Sequence, residues 1–404
     1  MKTPRILLIG IGGTYNYGCE AIVRGTEAIV RREYPDADIV YASSRVADDL
    51  KRLEGSKIQV IERGQLRRYS AKNICRKLLS LVRIRWNPMV ESLDLLENVD
   101  AVFSIGGDIY TLNHTTNYSM SFPKFGDAAE KLGIHYILWG ASVGPFTENP
   151  EAERAFTKHL RSLSLITARE TETIDYLRSL GIHDNVVSCS DPAYVVAPGI
   201  KANGISKGDK FTIGINLSPL SIGYTDHSEK ESIHAQAKTI EGLIKALGGR
   251  IVLIPHVVSD FNEGDDDLRY LRKVMRAIAP EHQESLTLLE ADLGFVGIKK
   301  ELIKCDLVIA ARMHCAINAL AAHVPTIFVA YSRKAVGMCQ YVYGSGDWLL
   351  PLSEFSKEGV LGEKVRTMKH HQFKIRDYLF KRIPEIQKDS YRPLPRLREV
   401  LGRV

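Results

Sequence analysis

Short apolar runs alternate with amphipathic helical stretches along almost the whole chain, and this alternation restricts its fold more than any other feature. Strands joined through helices lie parallel, with right-handed crossovers and helices on both faces of the sheet. In the first half, strands are expected at 5–10, 38–42, 57–61, 100–105, 135–140, 163–168 and 185–189. Helices fall near 20–33, 72–84, 120–132, 151–162 and 171–180. The pattern restarts with strands at 211–216, 250–254, 286–289, 307–310, 326–329 and near 348–350, and with helices near 233–247, 266–278, 297–304 and 314–322. Between the halves, residues 197–209 (APGIKANGISKGD) are rich in Pro, Gly and Asn and read as a linker. From about 355 the sequence is mostly charged helix, expected to cross back and brace the first domain.

A length of 404 residues exceeds what one core usually serves. The expectation is therefore an α/β protein of two doubly wound, Rossmann-like domains, 1–197 and 210–404, facing each other across a cleft. No stretch approaches the roughly 20 uninterrupted apolar residues of a membrane span. The opening MKTPRILLIGIGG reads as a first buried strand and its turn rather than a signal peptide. Six cysteines are scattered without CxxC or metal-ligand spacing, which suits a reducing cytosol and no structural metal.

The formal net charge of +6 is unevenly placed: eight basic residues and no acid lie between Arg63 and Arg85. Ile74, Leu78, Leu81 and Val82 recur among them at helical spacing. This basic amphipathic stretch, 63–85, reads either as a solvated helix face or as a dock for anionic lipid or a lipid-diphosphate acceptor. No nucleic-acid module or basic–aromatic pattern accompanies it, so a nucleic-acid role is not expected.

Chemistry concentrates where strands end. After the apolar run Leu307–Ile309 come Arg312-Met313-His314, a small-residue helix, a second strand, then Tyr331 and Lys334. Ligands of open α/β sheets bind at that edge, where helix amides are unpaired and favour an anion. A fixed cation two residues from a titratable imidazole suits a phosphorylated or carboxylated substrate that needs a proton moved. Other strand ends carry Asn16 and Glu20 beyond Gly10-Ile11-Gly12-Gly13, then Gly106-Gly107-Asp108, Ser142 within 140–146, Arg169-Glu170, and Pro255-His256. The first glycine loop is not a dinucleotide fingerprint: its spacing differs from GxGxxG, and no acidic residue closes the second strand. The run Asp265-Asp266-Asp267 is expected to face a helix dipole.

Together these motifs resemble the polysaccharide pyruvyltransferase family, particularly its bacterial exopolysaccharide members. Asn16-Tyr17-Gly18-Cys19-Glu20-Ala21-Ile22 is similar to the family's N-x-G-D-x-A-I stretch, and Gly106-Gly107, 140–145, Arg169-Glu170 and Asp191-Pro192-Ala193 follow in the family's order. Arg312-Met313-His314, with His323-Val324-Pro325 and Tyr331 to Lys334, is the most specific match. The resemblance spans roughly 5–345. Cys19, Asp108 and Ala141 depart from it, standing where the family often has aspartate, a third glycine and glutamine.

The resemblance implies a fold like that of nucleotide-sugar glycosyltransferases. It also implies phosphoenolpyruvate as donor, a sugar or lipid-linked oligosaccharide as acceptor, a pyruvate ketal as product, and no cofactor. On that basis Arg312 would clamp the donor bidentately and His314 would protonate it. Arg169 and Lys334 would add donor contacts. Asn16, Glu20 and His256 would orient or deprotonate the acceptor, with Gly107 and Ser142 lining the site. The place implied is the cytoplasm, either free in it or peripheral on the inner face of the plasma membrane. Two other readings stay open: a glycosyltransferase using a nucleotide sugar, and a carbohydrate-binding protein that has kept the fold.

Overall fold

The computed structural model describes residues 3–63, 88–112, 120–202, 210–331 and 333–402. Apart from Arg63, the basic stretch 63–85, with its expected helix, lies outside them. The chain forms two compact units, one of Met1–Thr14, Ile22–Pro192 and Asp389–Val404, the other of Tyr15–Ala21 and Ala193–Lys388. The change of unit at 192–193 lies just ahead of the Pro/Gly-rich linker. Two segments group away from their neighbours in sequence: 15–21 with the second unit, 389–404 with the first.

The first unit carries a seven-stranded, wholly parallel sheet. In chain order its elements are β1 (Arg5–Ile9), α1 (Tyr17–Glu33, whose first turn belongs to the second unit), β2 (Asp38–Ser43), α2 (Val46–Arg52), β3 (Gln59–Glu62), β4 (Ala101–Ile105), α3 (Ser121–Lys131), β5 (His135–Ala141), α4 (Pro150–Ser162), β6 (Leu165–Ala168), α5 (Thr171–Ser179) and β7 (Val186–Ser188). The strand order is β3-β2-β1-β4-β5-β6-β7. Leu7 pairs with Val40 on one side and Val102 on the other. Central strands such as AVFSI are buried on both faces, which is why they read as continuous apolar runs rather than alternating ones. Helix α4 shows how the sequence sets an element. Asn149 accepts from the Ala152 amide as N-cap, Pro150 occupies the first turn, and Ala152, Phe156, His159 and Leu160 form the buried stripe.

The second unit holds β8 (Thr212–Asn216), α6 (Glu229–Leu247), β9 (Arg250–Leu253), α7 (Asp267–Ala277), β10 (Leu286–Leu288), α8 (Gly294–Leu302), β11 (Leu307–Ala310), α9 (Met313–Ala321), β12 (Thr326–Ala330), α10 (Arg333–Tyr343), β13 (Leu349–Pro351) and the long α11 (Val360–Asp389). Its six strands are again all parallel, in the order β10-β9-β8-β11-β12-β13. A capping box between Ser228 and Glu231 opens α6, and Gly248, at φ 59°, closes it in the left-handed conformation. Helix α9 is buried from Cys315 to Ala321; its small side chains let it lie close against β11 and β12.

The final helix, α12 (Leu394–Leu401), packs in the first unit, where the Arg398 guanidinium forks onto both oxygens of Glu33 at 2.5 and 2.7 Å. Strand order reverses between β1 and β4 in the first sheet and between β8 and β11 in the second. Those are the points at which open α/β sheets bind ligands. Among the described residues, no helix is long and apolar enough to cross a membrane.

Candidate active site

The switch point of the second sheet is built around one carboxylate. Strand β8 ends on Asn216, and β11 runs into Arg312, the residue that precedes α9. The Arg312 amide donates to Asn216 Oδ1 at 2.8 Å, and Asn216 Nδ2 donates to the Ile254 carbonyl and to Asp267 Oδ2. Asp267 Oδ2 also accepts the amides of His256 and Val257, at 3.0 and 3.2 Å. Its other oxygen, Oδ1, accepts Arg312 Nε at 3.1 Å and Nη2 at 2.8 Å. Nη2 also reaches Asp265, at its carbonyl and at Oδ1 (2.5 Å).

Burial opposes the charge on Arg312, but Asp267 and then Asp265 outweigh it and hold the guanidinium above its ordinary pKa. Burial also pushes the Asp267 carboxyl upward against the pull of Arg312. We assign it as ionised, because all five hydrogen bonds entering it come from N–H donors. The acidic run is therefore not simply a response to a helix dipole. Asp266 caps α7 by accepting from the Arg269 amide, while Asp267 is fully buried beneath Arg312.

His314 lies in the first turn of α9, half-buried. The segment around Asn16 runs antiparallel to 256–258: Tyr17 N donates to the His256 carbonyl, and Val258 N to the Tyr15 carbonyl, each at 3.1 Å. Asn16 caps α1, its Oδ1 accepting from Gly18 N at 2.9 Å. A Cβ on Gly18 would fall 2.5 Å from His314 Nδ1, so a glycine is what lets the imidazole sit there.

His256 is buried between the Tyr17 and Phe295 rings, at centroid distances of 5.5 and 5.7 Å. Burial first, then the nearby His314 and Arg312, hold it well below its usual pKa, hence neutral. Its Nε2 has no hydrogen-bond partner among the described residues. The structure thus brings Arg312, His314, His256 and Asn16 together in the second unit.

Glu20 belongs to the same unit with a different engagement. Its Oε2 accepts the Phe295 amide at 2.7 Å at the start of α8, where the helix dipole favours a carboxylate. Gly294, at φ 64°, makes room for that carboxylate: a Cβ there would stand 2.8 Å from Oε2. Lys334 sits in the first turn of α10, and burial lowers its pKa to about 8. Tyr331 precedes α10, its ring 5.0 Å from that of Tyr224; burial raises its pKa, against a smaller opposing pull from Arg312.

In the first unit, Arg169, Ser142 and Gly107 meet at the ends of β4 to β7. Arg169 Nη1 donates to Asp191 Oδ2 at 2.6 Å and Nη2 to Ser142 Oγ at 3.3 Å, while Nε lies 3.6 Å from Glu170 Oε1. Ser142 Oγ donates to the same Glu170 oxygen, and Ser142 N to the Gly107 carbonyl. A Cβ on Gly107 would lie 2.6 Å from Arg169 Nη2. Burial works against this guanidinium, and Asp191 followed by Glu170 overcomes it. With a side chain only 1% exposed, Arg169 ties its own loops together.

Asn216 and Tyr17, which donates to Asp292 Oδ1 at 2.7 Å, join the site without a role expected from the sequence, and Asp267, expected only to face a helix dipole, joins as the partner of Arg312. Asn216 was marked only by its place at a strand end.

A family model described as polysaccharide pyruvyl transferase matches residues 16–333. A search of curated protein sequences gave no match. Solved structures share the fold at low identity. UDP-GlcNAc 2-epimerase from Neisseria meningitidis aligns at 12% identity and TM-score 0.56, covering 99% of this chain and 100% of that one. A glycosyltransferase from Rickettsia africae aligns at 12% and 0.58, and the calicheamicin glycosyltransferase CalG4 at 12% and 0.55, each with 100% of both chains covered. At such identities the likeness shows two Rossmann-like domains and nothing of chemistry.

Proposed function

The chain belongs to the polysaccharide pyruvyl transferase family, and from that premise we propose that it moves pyruvate from phosphoenolpyruvate onto two hydroxyls of a surface-polysaccharide sugar or its lipid-linked precursor. The observation that carries this reading is Arg312 and His314 together at the sheet's switch point, beside a buried neutral His256. Arg312 Nη1, which makes no hydrogen bond among the described residues, binds the donor's phosphate or carboxylate. His314 in its protonated form gives a proton to the donor methylene, leaving an electrophilic carbon. One sugar hydroxyl adds to that carbon. The second displaces phosphate and closes the ketal, and the two hydroxyl protons leave with base and phosphate. His256, held neutral and with Nε2 unpartnered among the described residues, orients one of these hydroxyls, and His314, left neutral, is the base that takes its proton.

Asn16 and Glu20 are positioning residues in this scheme. Asn16 sets the α1 turn against which His314 rests, and Glu20 fixes the start of α8. Lys334 supplies a second cation to the donor. Arg169, Ser142 and Gly107 shape the first unit's loops for the acceptor.

The test is phosphate release from phosphoenolpyruvate against a panel of simple and lipid-linked glycosides, with His314→Ala as control. Acceptor-dependent release that disappears in the variant supports the reading; absence of phosphoenolpyruvate binding overturns it. The fold also serves nucleotide-sugar transfer. Displacement of phosphoenolpyruvate by a nucleoside diphosphate, with sugar transfer from its conjugate, would favour that reading instead.

A further inference from the structure

We propose that Asp267 is the positioning residue that fixes which edge of Arg312 meets the donor. The inference rests on the reading that Arg312 binds the donor. Bidentate recognition by an arginine normally uses the edge formed by Nε and one terminal nitrogen, or the edge formed by the two terminal nitrogens. Here Nε and Nη2 both lie on Asp267 Oδ1, and Nη2 is drawn further onto Asp265. Only Nη1 keeps its two N–H groups for a ligand. The second oxygen of Asp267 holds the amides of His256 and Val257 and the side chain of Asn216, which in turn accepts the Arg312 amide.

One carboxylate therefore registers three strand ends, β8, β9 and β11, against each other. It also sets one cation against two carboxylates. The anionic donor is then recognised through directed N–H groups and further cations, not through an unopposed charge on Arg312.

Asp267→Asn keeps the shape but offers one acceptor oxygen, so either Arg312 or the His256 and Val257 amides lose their partner. The expected result is a rise of about 10²-fold in the KM for phosphoenolpyruvate, the scale at which misplacing a binding group acts. The acceptor KM should stay unchanged. The effect should vanish in an Arg312→Ala background, where there is no guanidinium left to orient. An Asp267→Asn enzyme with the parent's donor KM, or losses that simply add in the double variant, would overturn the proposal.

If Asp267→Asn does not fold, Asp265→Ala removes the side-chain oxygen that anchors Nη2 from outside and leaves only the Asp265 carbonyl on it. A rise in donor KM of about tenfold is then expected, and no rise overturns the proposal. Phosphoenolpyruvate binding that survives Arg312→Ala alone would instead overturn the donor reading beneath it.

Discussion

The imidazole of His314 rests where Gly18 has no side chain: a Cβ at that position would stand 2.5 Å from Nδ1 and 2.6 Å from Cγ. Gly18 lies in the first turn of α1, where alanine is otherwise the better helix former by up to about 1 kcal/mol. That gain is outweighed, because the new Cβ would also stand 2.9 Å from His314 Cβ, which cannot swing aside with the ring, so Gly18→Ala should lower the melting temperature as it pushes the imidazole away. Turnover is expected to fall about 10²-fold. A fully active Gly18→Ala enzyme would separate His314 from the chemistry.

Removing the imidazole itself gives a different signature. His314→Ala should lose turnover by about 10²–10⁴-fold while still binding phosphoenolpyruvate, as expected when a general acid is lost and the binding groups remain. Equilibrium binding of the donor to the variant, set beside its single-turnover rate, checks both halves. Loss of binding with unchanged chemistry would make His314 a donor ligand instead.

Much of this site was legible because parallel strands end at one edge. Strand ends read from apolar runs placed Arg312, His314 and His256 near one another, and Gly107, Ser142 and Arg169 near one another, before any packing was known. What stayed hidden depends on tertiary partners. Asp267 looked like one of three interchangeable acids, and only burial separates it from its neighbours. Glu20 and Asn16 stood at a strand end like binding residues, but their side chains engage the starts of α8 and α1.

Helix α10 was missed because Gly337 and the pair Tyr341 and Tyr343 weaken its propensity, although Ala335, Met338, Cys339 and Val342 form a buried stripe. The grouping of 15–21 with the second unit arises from backbone pairing with 256–258, for which side-chain patterns give no signal.

Glu20 offers a test of positioning against direct contact. Glu20→Ala leaves the buried Phe295 amide without its acceptor, which costs about 1–3 kcal/mol. Urea denaturation should show that loss, while Glu20→Gln, which retains an acceptor oxygen, should recover most of it. The acceptor KM of Glu20→Gln should match the parent. A large rise in that KM with stability intact would put the carboxylate on the sugar.

Lys334 makes donor binding and folding respond to pH in opposite directions. Its folded pKa is about 8, lowered from the ordinary lysine value by burial. A bound anion favours the charged form, so phosphoenolpyruvate affinity should fall as pH rises through about 8. Stability runs the other way. Between that pKa and the ordinary lysine value of about 10.4, the unfolded chain holds the proton more tightly, so unfolding free energy rises with pH across the window. Lys334→Met should flatten both slopes, lowering donor affinity below pH 8 to the level the parent reaches above it. Donor titrations and urea midpoints measured across this range check the two signs together. A parent enzyme whose affinity does not change through that range would remove Lys334 from the donor site.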